Sequence, residues 1–273
     1  MPALPDNLTA AELKGFAKCP VKCPLLRKRI ISVADYLAVI SDAIRTDEPF
    51  WFRGHDDVEY SLTPSALRFS SYTNRAKALG LIADFKRIAG MKLRRAPDPA
   101  NELEWALIAQ HYGLPTRLLD WTESATTALY FACLKTDRDG LVFIVNPIAL
   151  NQLSYATKPR VLDPQEDNTT ILAYLHMGAK RAAGGRHPVA INPIWNSERL
   201  IMQKGVFTLH GRKFDLDSGV PSLVAIPILR ESKVRLRSEL QRVGVDEMTL
   251  FPELEHSCAH LTRNAGLSKK DGK

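Results

Sequence analysis

Hydrophobic residues recur at helical spacing in several segments of the chain. After Ser32, apolar residues recur every three or four positions up to Ile44, which gives a helix one buried face. Asp35 lies three positions after Ser32, a variant of the capping box that opens many helices. The same spacing predicts further helices over 75–91, 101–111, 123–135, 169–176 and 231–243.

Short apolar runs bounded by Gly or Pro predict strands. "FWFRG" (50–54) ends at its glycine, and "LVFIVN" (141–146) lies between Gly140 and Pro147. Because most helices precede most strands, the order favours an α+β fold, with a helix-rich N-terminal half packed on a mixed, mostly antiparallel sheet. Three further strands are predicted over 188–194, 206–210 and 222–228.

The 273 residues fit one large domain with appendages. We expect an N-terminal arm over 1–30, a single domain over 31–262 and a basic flexible tail over 263–273. Residues 148–187 are harder to assign and are expected to be an insertion within that domain.

The composition, 45% hydrophobic and 25% charged, is typical of a globular protein. No apolar run approaches the roughly 20 residues that span a bilayer, and the start lacks signal-peptide features. We therefore expect a cytoplasmic protein without membrane contact. Cys19 and Cys23 form one closely spaced pair, whereas zinc sites usually need two, so we expect no metal and reduced thiols.

The net charge of +7 permits attraction to polyanions. The Lys and Arg residues are spread along the chain, which favours a solvated basic surface, with a nucleic-acid groove as the alternative. The motifs of P-loop NTPases, zincin proteases and α/β-hydrolases are absent, so those activities have no support.

Arg53 lies at the end of an apolar strand, where a guanidinium needs a partner. Its planar fork suits a carboxylate or phosphate, and Gly54 permits close approach by a ligand. The alternative is a buried ion pair, for instance with Asp120.

The densest polar region is "AQHYGLPTRLLDWTESATTALYFA" (109–132), interpreted as helix end, rigid turn and helix start. Asp120 or Thr122 is expected to cap the second helix, or that helix start receives an anion assisted by Arg117. Tyr112 and Trp121 are expected to stack on a planar base. Further candidates in this region, for proton transfer or ligand contact, are His111, Thr116 and Ser124.

A second polar segment is "NSERLIMQKGVFTLHG" (196–211). Arg199 and Gln203 are four residues apart and share a helix face. Gln203 is expected to contact a sugar hydroxyl or an amide. The alternative is that these polar residues only fix a helix to the sheet edge.

Taken together, "FWFRG", "QHYGLPTRLLDWTESATTALYFA", "NSERLIMQKGVFTLHG" and "VDEMTLFPELE" (245–255) resemble the FRG domain family, named after its Phe-x-Arg-Gly motif. The resemblance extends over about residues 30–262. It implies a bacterial or phage origin among defence and toxin-like proteins.

A looser likeness to the ADP-ribosyltransferase superfamily implies NAD as cofactor. In that likeness Arg53 holds NAD, and His111, Tyr112 and the segment starting at Ser124 line the nicotinamide side. Gln203 stands where a catalytic Glu is expected and cannot act as a base, so Glu198 is the substitute.

The hypothesis from sequence is therefore a nucleotide-handling toxin or phage-defence effector. It would act by NAD-dependent ADP-ribosyl transfer or NAD cleavage, with a neutralising partner protein. The alternative is a non-catalytic module that binds or senses a nucleotide or nucleic acid.

Overall fold

The computed structural model describes residues 6–17, 19, 25–44, 47–154, 159–180, 186–216, 219–220 and 222–267. Within these residues the chain forms eleven α-helices, most of them opened by a side-chain cap. They are α1 (Ala10–Phe16), α2 (Val33–Ala43), α3 (Tyr72–Lys92), α4 (Glu102–His111), α5 (Ala125–Ala132), α6 (Pro147–Gln152), α7 (Asn168–Leu175), α8 (Glu198–Met202), α9 (Arg230–Arg242), α10 (Glu247–Leu250) and α11 (Leu254–Asn264).

Six strands in the described residues form one open sheet in the order β4-β5-β2-β1-β3-β6, and all neighbouring strands are antiparallel. The fold is therefore α+β, as the sequence predicts. The strands are β1 (Trp51–His55), β2 (Leu118–Thr122), β3 (Gly140–Val145), β4 (Val189–Ile191), β5 (Gly205–Leu209) and β6 (Val224–Ile228).

Successive side chains of a strand point to opposite faces of the sheet, so the two faces pack into different hydrophobic clusters. On one face Phe52 and Val142 join residues of α2, α5 and α9 in an apolar cluster. The same sheet face continues over β5 and β4, where Phe207 packs with residues of α4 and α7. Two groups of helices thus cover one face, and the space between them lies over the central strands β1 and β2. The opposite face buries a separate cluster that includes Trp51 and Trp121.

The central strands β1 and β2 separate soon after they meet. Their register has a single partner pair, Phe52 with Thr122, whereas β1 pairs with β3 along all five of its residues. Beyond that pair, the facing backbone N–H and C=O groups of β1 and β2 do not bond to each other. They can therefore form hydrogen bonds with side chains.

Most predicted elements are confirmed, including the Ser32–Asp35 capping box. The prediction that residues 116–122 only link two helices is wrong, because Leu118–Thr122 forms β2 in the middle of the sheet. The prediction that Asp120 or Thr122 caps α5 is also wrong: Ser124 is the N-cap and accepts from the Thr127 amide. A five-residue strand with a polar residue at its centre is easily taken for a polar turn.

Candidate functional site

A cleft of about 300 Å³ opens over the separation of β1 and β2. It lies between α4, α5 and α8, and its walls mix apolar rings with charged and amide side chains. The residues that line it are Phe52, Arg53, Gly54, Leu107, Gln110, His111, Asp120, Trp121, Thr122, Phe131, Asn196, Ser197, Arg199, Leu200, Gln203 and Phe207.

Arg53 spans the separated strands with its guanidinium. Nε donates to His55 Nε2 at 2.9 Å, and Nη1 donates to the backbone carbonyl of Asp120. Nη2 makes no hydrogen bond to any residue that the structure describes. Burial lowers the pKa of Arg53 to about 10, with a smaller contribution from Arg68, while Asp120 opposes the shift. Arg53 is therefore held in place with one amino group left for a ligand.

His55 determines the orientation of Arg53. Its Nδ1 lies 3.1 Å from the carbonyl of Tyr60, to which it donates, so Nε2 accepts from Arg53. This arrangement requires a neutral ring. Burial, followed by the charge of Arg53, holds the pKa of His55 well below its usual value, in agreement with the geometry.

His111 and Arg199 form the wall contributed by α4 and α8. Glu253 lies beside both: its Oε1 is 4.0 Å from His111 Nε2 and 3.9 Å from Arg199 Nη1. Burial and Arg199 lower the pKa of His111, and Glu253 opposes them. The imidazole is therefore neutral near pH 7 and able to accept a proton.

Asp120 places a carboxylate at the mouth of the cleft. Its side chain is 62% exposed, and Oδ2 lies 3.9 Å from Arg53 Nη1. Gln110 Nε2 donates to Oδ1 at 2.6 Å, and Thr116 donates to the Gln110 amide oxygen. Arg53 thus does contact Asp120, but in an open cleft rather than in the closed core of the alternative interpretation.

Gln203 lines the cleft, as does Arg199, so the predicted shared face is confirmed. The Gln203 Nε2 donates to the carbonyl of Leu250 at 2.9 Å, and its backbone carbonyl accepts from Thr122 Oγ1 at 2.6 Å. The side chain therefore fixes α8 to the end of α10. Its amide nitrogen is already occupied within the protein.

Arg117 is not in the cleft. It is buried, with 2% of its surface exposed, and donates to four backbone carbonyls: those of Met177, Gly178, His210 and Gly211. The prediction that it assists an anion at the start of α5 is wrong, because both of its terminal amino groups are used in joining segments of the scaffold.

Four other candidates, Tyr112, Thr116, Ser124 and Glu198, are not among the residues that line the cleft. Tyr112 is 65% exposed, with its ring against His111 and Phe85, and Glu198 is exposed on α8. Ser124 is used as the α5 cap.

Gly54 lines the cleft, but its lack of a side chain serves helix packing. A Cβ there would lie 1.9 Å from the carbonyl oxygen of Ala128 and 2.6 Å from the amide nitrogen of Ala132. The close approach that the sequence indicated is therefore made by α5, while contact between Gly54 and a ligand stays a prediction.

Trp121 is among the residues that line the cleft, but its side chain packs in the cluster on the opposite face of the sheet. The indole Nε1–H donates to Thr208 Oγ1 at 3.0 Å, and Thr208 lies 2.9 Å from His210 Nε2. His210 Nδ1 in turn donates to the carbonyl of Phe214 at 2.6 Å. These hydrogen bonds fix the orientation of the indole.

Sequence reasoning missed several residues of the cleft. Leu107 and Gln110 share one face of α4 with the predicted His111, so helical spacing could have identified them. Phe131 lies in an apolar run and Asn196 at a helix start, so neither position indicates a site residue. Glu253 had no local signal, since it lies in the turn between α10 and α11.

Two further features bear on ligands. Among the described residues, no group of three His, Cys, Asp or Glu side chains is placed to hold a metal ion; Cys23 lies outside these residues. No helix in the described part of the chain is long and apolar enough to cross a membrane.

The comparison with family models gives one result: the FRG domain matches residues 48–140. This segment of the chain is similar to the FRG domain. No curated protein and no solved structure matches the chain. The FRG match covers about a third of the chain and contains Arg53, His111 and Asp120. Arg199 and Gln203, which complete the cleft, lie beyond it, so the FRG motif residues meet a wall from the C-terminal half.

Proposed function

We propose that this FRG-domain protein binds a nucleotide in the cleft over β1 and β2, with Arg53 contacting a phosphate group. The observation that carries the proposal is the unused Nη2 of a guanidinium held from two sides by His55 and the Asp120 carbonyl. A preorganised arginine fork is the group that proteins most often use for phosphate. Arg199 adds positive charge from the opposite wall.

The rings of Phe52, Phe131 and Phe207 supply the apolar surface that a base or nicotinamide needs. A volume of about 300 Å³ is at the lower end of the range for small-molecule sites. We therefore expect one half of a dinucleotide such as NAD to enter the cleft and the other half to lie outside it.

The chemistry that we propose is NAD cleavage or ADP-ribosyl transfer. The bond from the ribose C1′ to the nicotinamide nitrogen breaks, and its electron pair leaves with nicotinamide. Water or an acceptor attacks C1′ and loses a proton to a base. Asp120 takes the carboxylate role that the sequence assigned to Glu198, since it lines the cleft and stabilises an oxocarbenium-like centre electrostatically. His111, neutral near pH 7, is the base.

The second candidate is a binding or sensing module without turnover. It is favoured by Gln203, whose amide is bonded to Leu250 and supplies no base. Calorimetry with NAD and chromatographic detection of nicotinamide release separate the two. Binding with release supports the enzyme, binding without release supports the module, and neither binding nor release contradicts both.

Variants test the roles of Arg53 and Asp120. Arg53→Ala is expected to weaken NAD binding at least about tenfold, because a charge-assisted bond is lost. Arg94→Ala, which removes an exposed arginine, is the matched control. Asp120→Asn keeps the backbone carbonyl that holds Arg53, so it is expected to retain binding and lose turnover. Equal NAD affinity of the Arg53→Ala protein and wild type contradicts the phosphate contact.

The proposed role as a toxin or phage-defence effector with a neutralising partner depends on that turnover. Expression of the wild-type chain in a bacterium is then expected to lower cellular NAD and stop growth. Asp120→Asn should remove both effects at equal protein level. Growth arrest that Asp120→Asn leaves intact argues against NAD consumption as its cause.

A further inference from the structure

Two polar atoms beside the cleft have no hydrogen-bond partner within the described chain. One is Nδ2 of Asn196, which lines the cleft ahead of α8, and the other is Oε2 of Glu253. Both atoms are buried, and an unpaired buried donor or acceptor costs free energy. At the cleft, such an atom has hydrogen-bonding capacity that a ligand can use; the third unpaired atom, Arg117 Nε, belongs to the scaffold away from the cleft.

Glu253 is brought to the cleft by the segment that joins α10 to α11. Phe251 anchors this segment: its ring packs edge-on against Phe131, with centroids 6.0 Å apart, and the guanidinium of Arg199 lies 4.6 Å above it. Gln203 holds the preceding carbonyl, that of Leu250. Three cleft-lining side chains therefore fix the backbone just before Glu253.

The two oxygens of the Glu253 carboxylate have different surroundings. Oε1 is the atom near the cationic groups, 3.9 Å from Arg199 Nη1 and 4.0 Å from His111 Nε2. Oε2 has no hydrogen-bond partner among the described residues and keeps its capacity to accept one. Asn196 Nδ2 offers the complementary capacity, since an amide nitrogen only donates.

We propose that Asn196 and Glu253 bind the hydroxyl groups of a ribose, so that the cleft selects ribonucleotides over their deoxy counterparts. A hydroxyl both donates and accepts, which matches a free carboxylate oxygen and a free amide N–H. A site built to bond a hydroxyl rejects the analogue that lacks it, because its own buried groups are then unpaired. The inference rests on the proposed nucleotide binding and adds the class of sugar.

The test is calorimetric, with AMP and GMP as probes beside their 2′-deoxy and 3′-deoxy forms. We expect wild type to bind at least one deoxy form about ten- to hundredfold more weakly, the range for losing a hydrogen bond to a charged group. Glu253→Gln, which is close to isosteric, should reduce the ratio of ribonucleotide to deoxynucleotide affinity to below about threefold. Glu255→Gln, two positions further on at an exposed site, should keep the wild-type ratio.

Asn196→Ala gives a second, independent measurement, with Asn192→Ala as its control because Asn192 is exposed. The ratio of ribonucleotide to deoxynucleotide affinity should fall in Asn196→Ala and stay unchanged in Asn192→Ala. Equal binding of ribo and deoxy forms by wild type, or an unchanged ratio in both Glu253→Gln and Asn196→Ala, overturns the inference and leaves nucleotide binding intact. If AMP, GMP and NAD all fail to bind wild type, the proposed function fails and this inference with it.

Discussion

Arg53 and Arg117 both lie within the FRG match, and the structure uses them in opposite ways. Arg117 donates through both terminal amino groups to four backbone carbonyls, and Arg53 uses only Nη1 and Nε, leaving Nη2. Burial lowers the pKa of each to about 10, so the titration behaviour does not tell them apart. What separates a scaffold arginine from a site arginine here is the hydrogen-bonding capacity that remains at its terminal amino groups.

The surroundings of the two arginines extend the comparison. Around Arg117, the Trp121–Thr208–His210 chain ends in a backbone carbonyl and is closed. Arg53, by contrast, lies next to the exposed carboxylate of Asp120 and next to an open cleft. A dense polar motif therefore contains both a closed structural network and an open site.

The largest expected effect is that of Arg117→Met on stability. It leaves four backbone carbonyls without their donor, two of them buried, so we expect the free energy of unfolding to fall by about 3–5 kcal/mol. Urea denaturation measures this. Arg53→Met should cost about 1 kcal/mol, because it removes two hydrogen bonds at an open cleft. Equal losses of unfolding free energy in the two variants would contradict the distinction between a scaffold arginine and a site arginine.

Gly54→Ala is expected to cost at least about 2 kcal/mol of unfolding free energy, because α5 must shift away from β1. Gly90→Ala on the exposed side of α3 is the control: a Cβ there meets nothing within 4 Å, and the change should stabilise by roughly 0.5–1 kcal/mol. A Gly54→Ala protein of wild-type stability but weakened ligand binding would restore the ligand-approach interpretation.

Acid should destabilise both neighbourhoods through their neutral histidines. Burial lowers the pKa of His210 to about 3 and that of His55 well below normal. The unfolded chain binds protons near pH 6.5 and the folded chain does not, so stability is complete above that pH and decreases as the pH falls toward 3. Between pH 6 and pH 5 we expect a loss of about 1–2 kcal/mol. His210→Asn should reduce the slope, measured by urea denaturation across pH; an unchanged slope contradicts the assignment.

Tyr112→Ala should have the smallest effect, about 0.5 kcal/mol or less on stability, because the ring is exposed and outside the residues that line the cleft. NAD affinity should not change, whereas His111→Ala at the preceding position is expected to lower turnover. Loss of binding in Tyr112→Ala would instead place its ring over the ligand, as the sequence interpretation had it.

Local pattern predicted the elements that short-range chemistry controls. Helical spacing and a capping pair identified α2, and β-branched runs identified β3 and β6. The strand β2 was missed because its pairing partners, β5 and β1, are remote in sequence, and Asp120 at its centre has the character of a turn residue. Strand pairing is a long-range property that five residues cannot indicate on their own.

For the site, residue types in the sequence identified candidates but could not show which of their side chains reach the cleft. Arg53, His111, Asp120, Arg199 and Gln203 reach the cleft, whereas Arg117, Tyr112 and Glu198 do not. The sequence by itself determined that an FRG motif brings charged, aromatic and amide groups together around one α+β sheet. Only the tertiary structure decided which arginine keeps a free amino group, and that Glu253, from a distant turn, joins the site. The physical reason is that hydrogen-bond saturation depends on backbone carbonyls and side chains from segments far apart in the chain, which meet only when the sheet and its helices have packed.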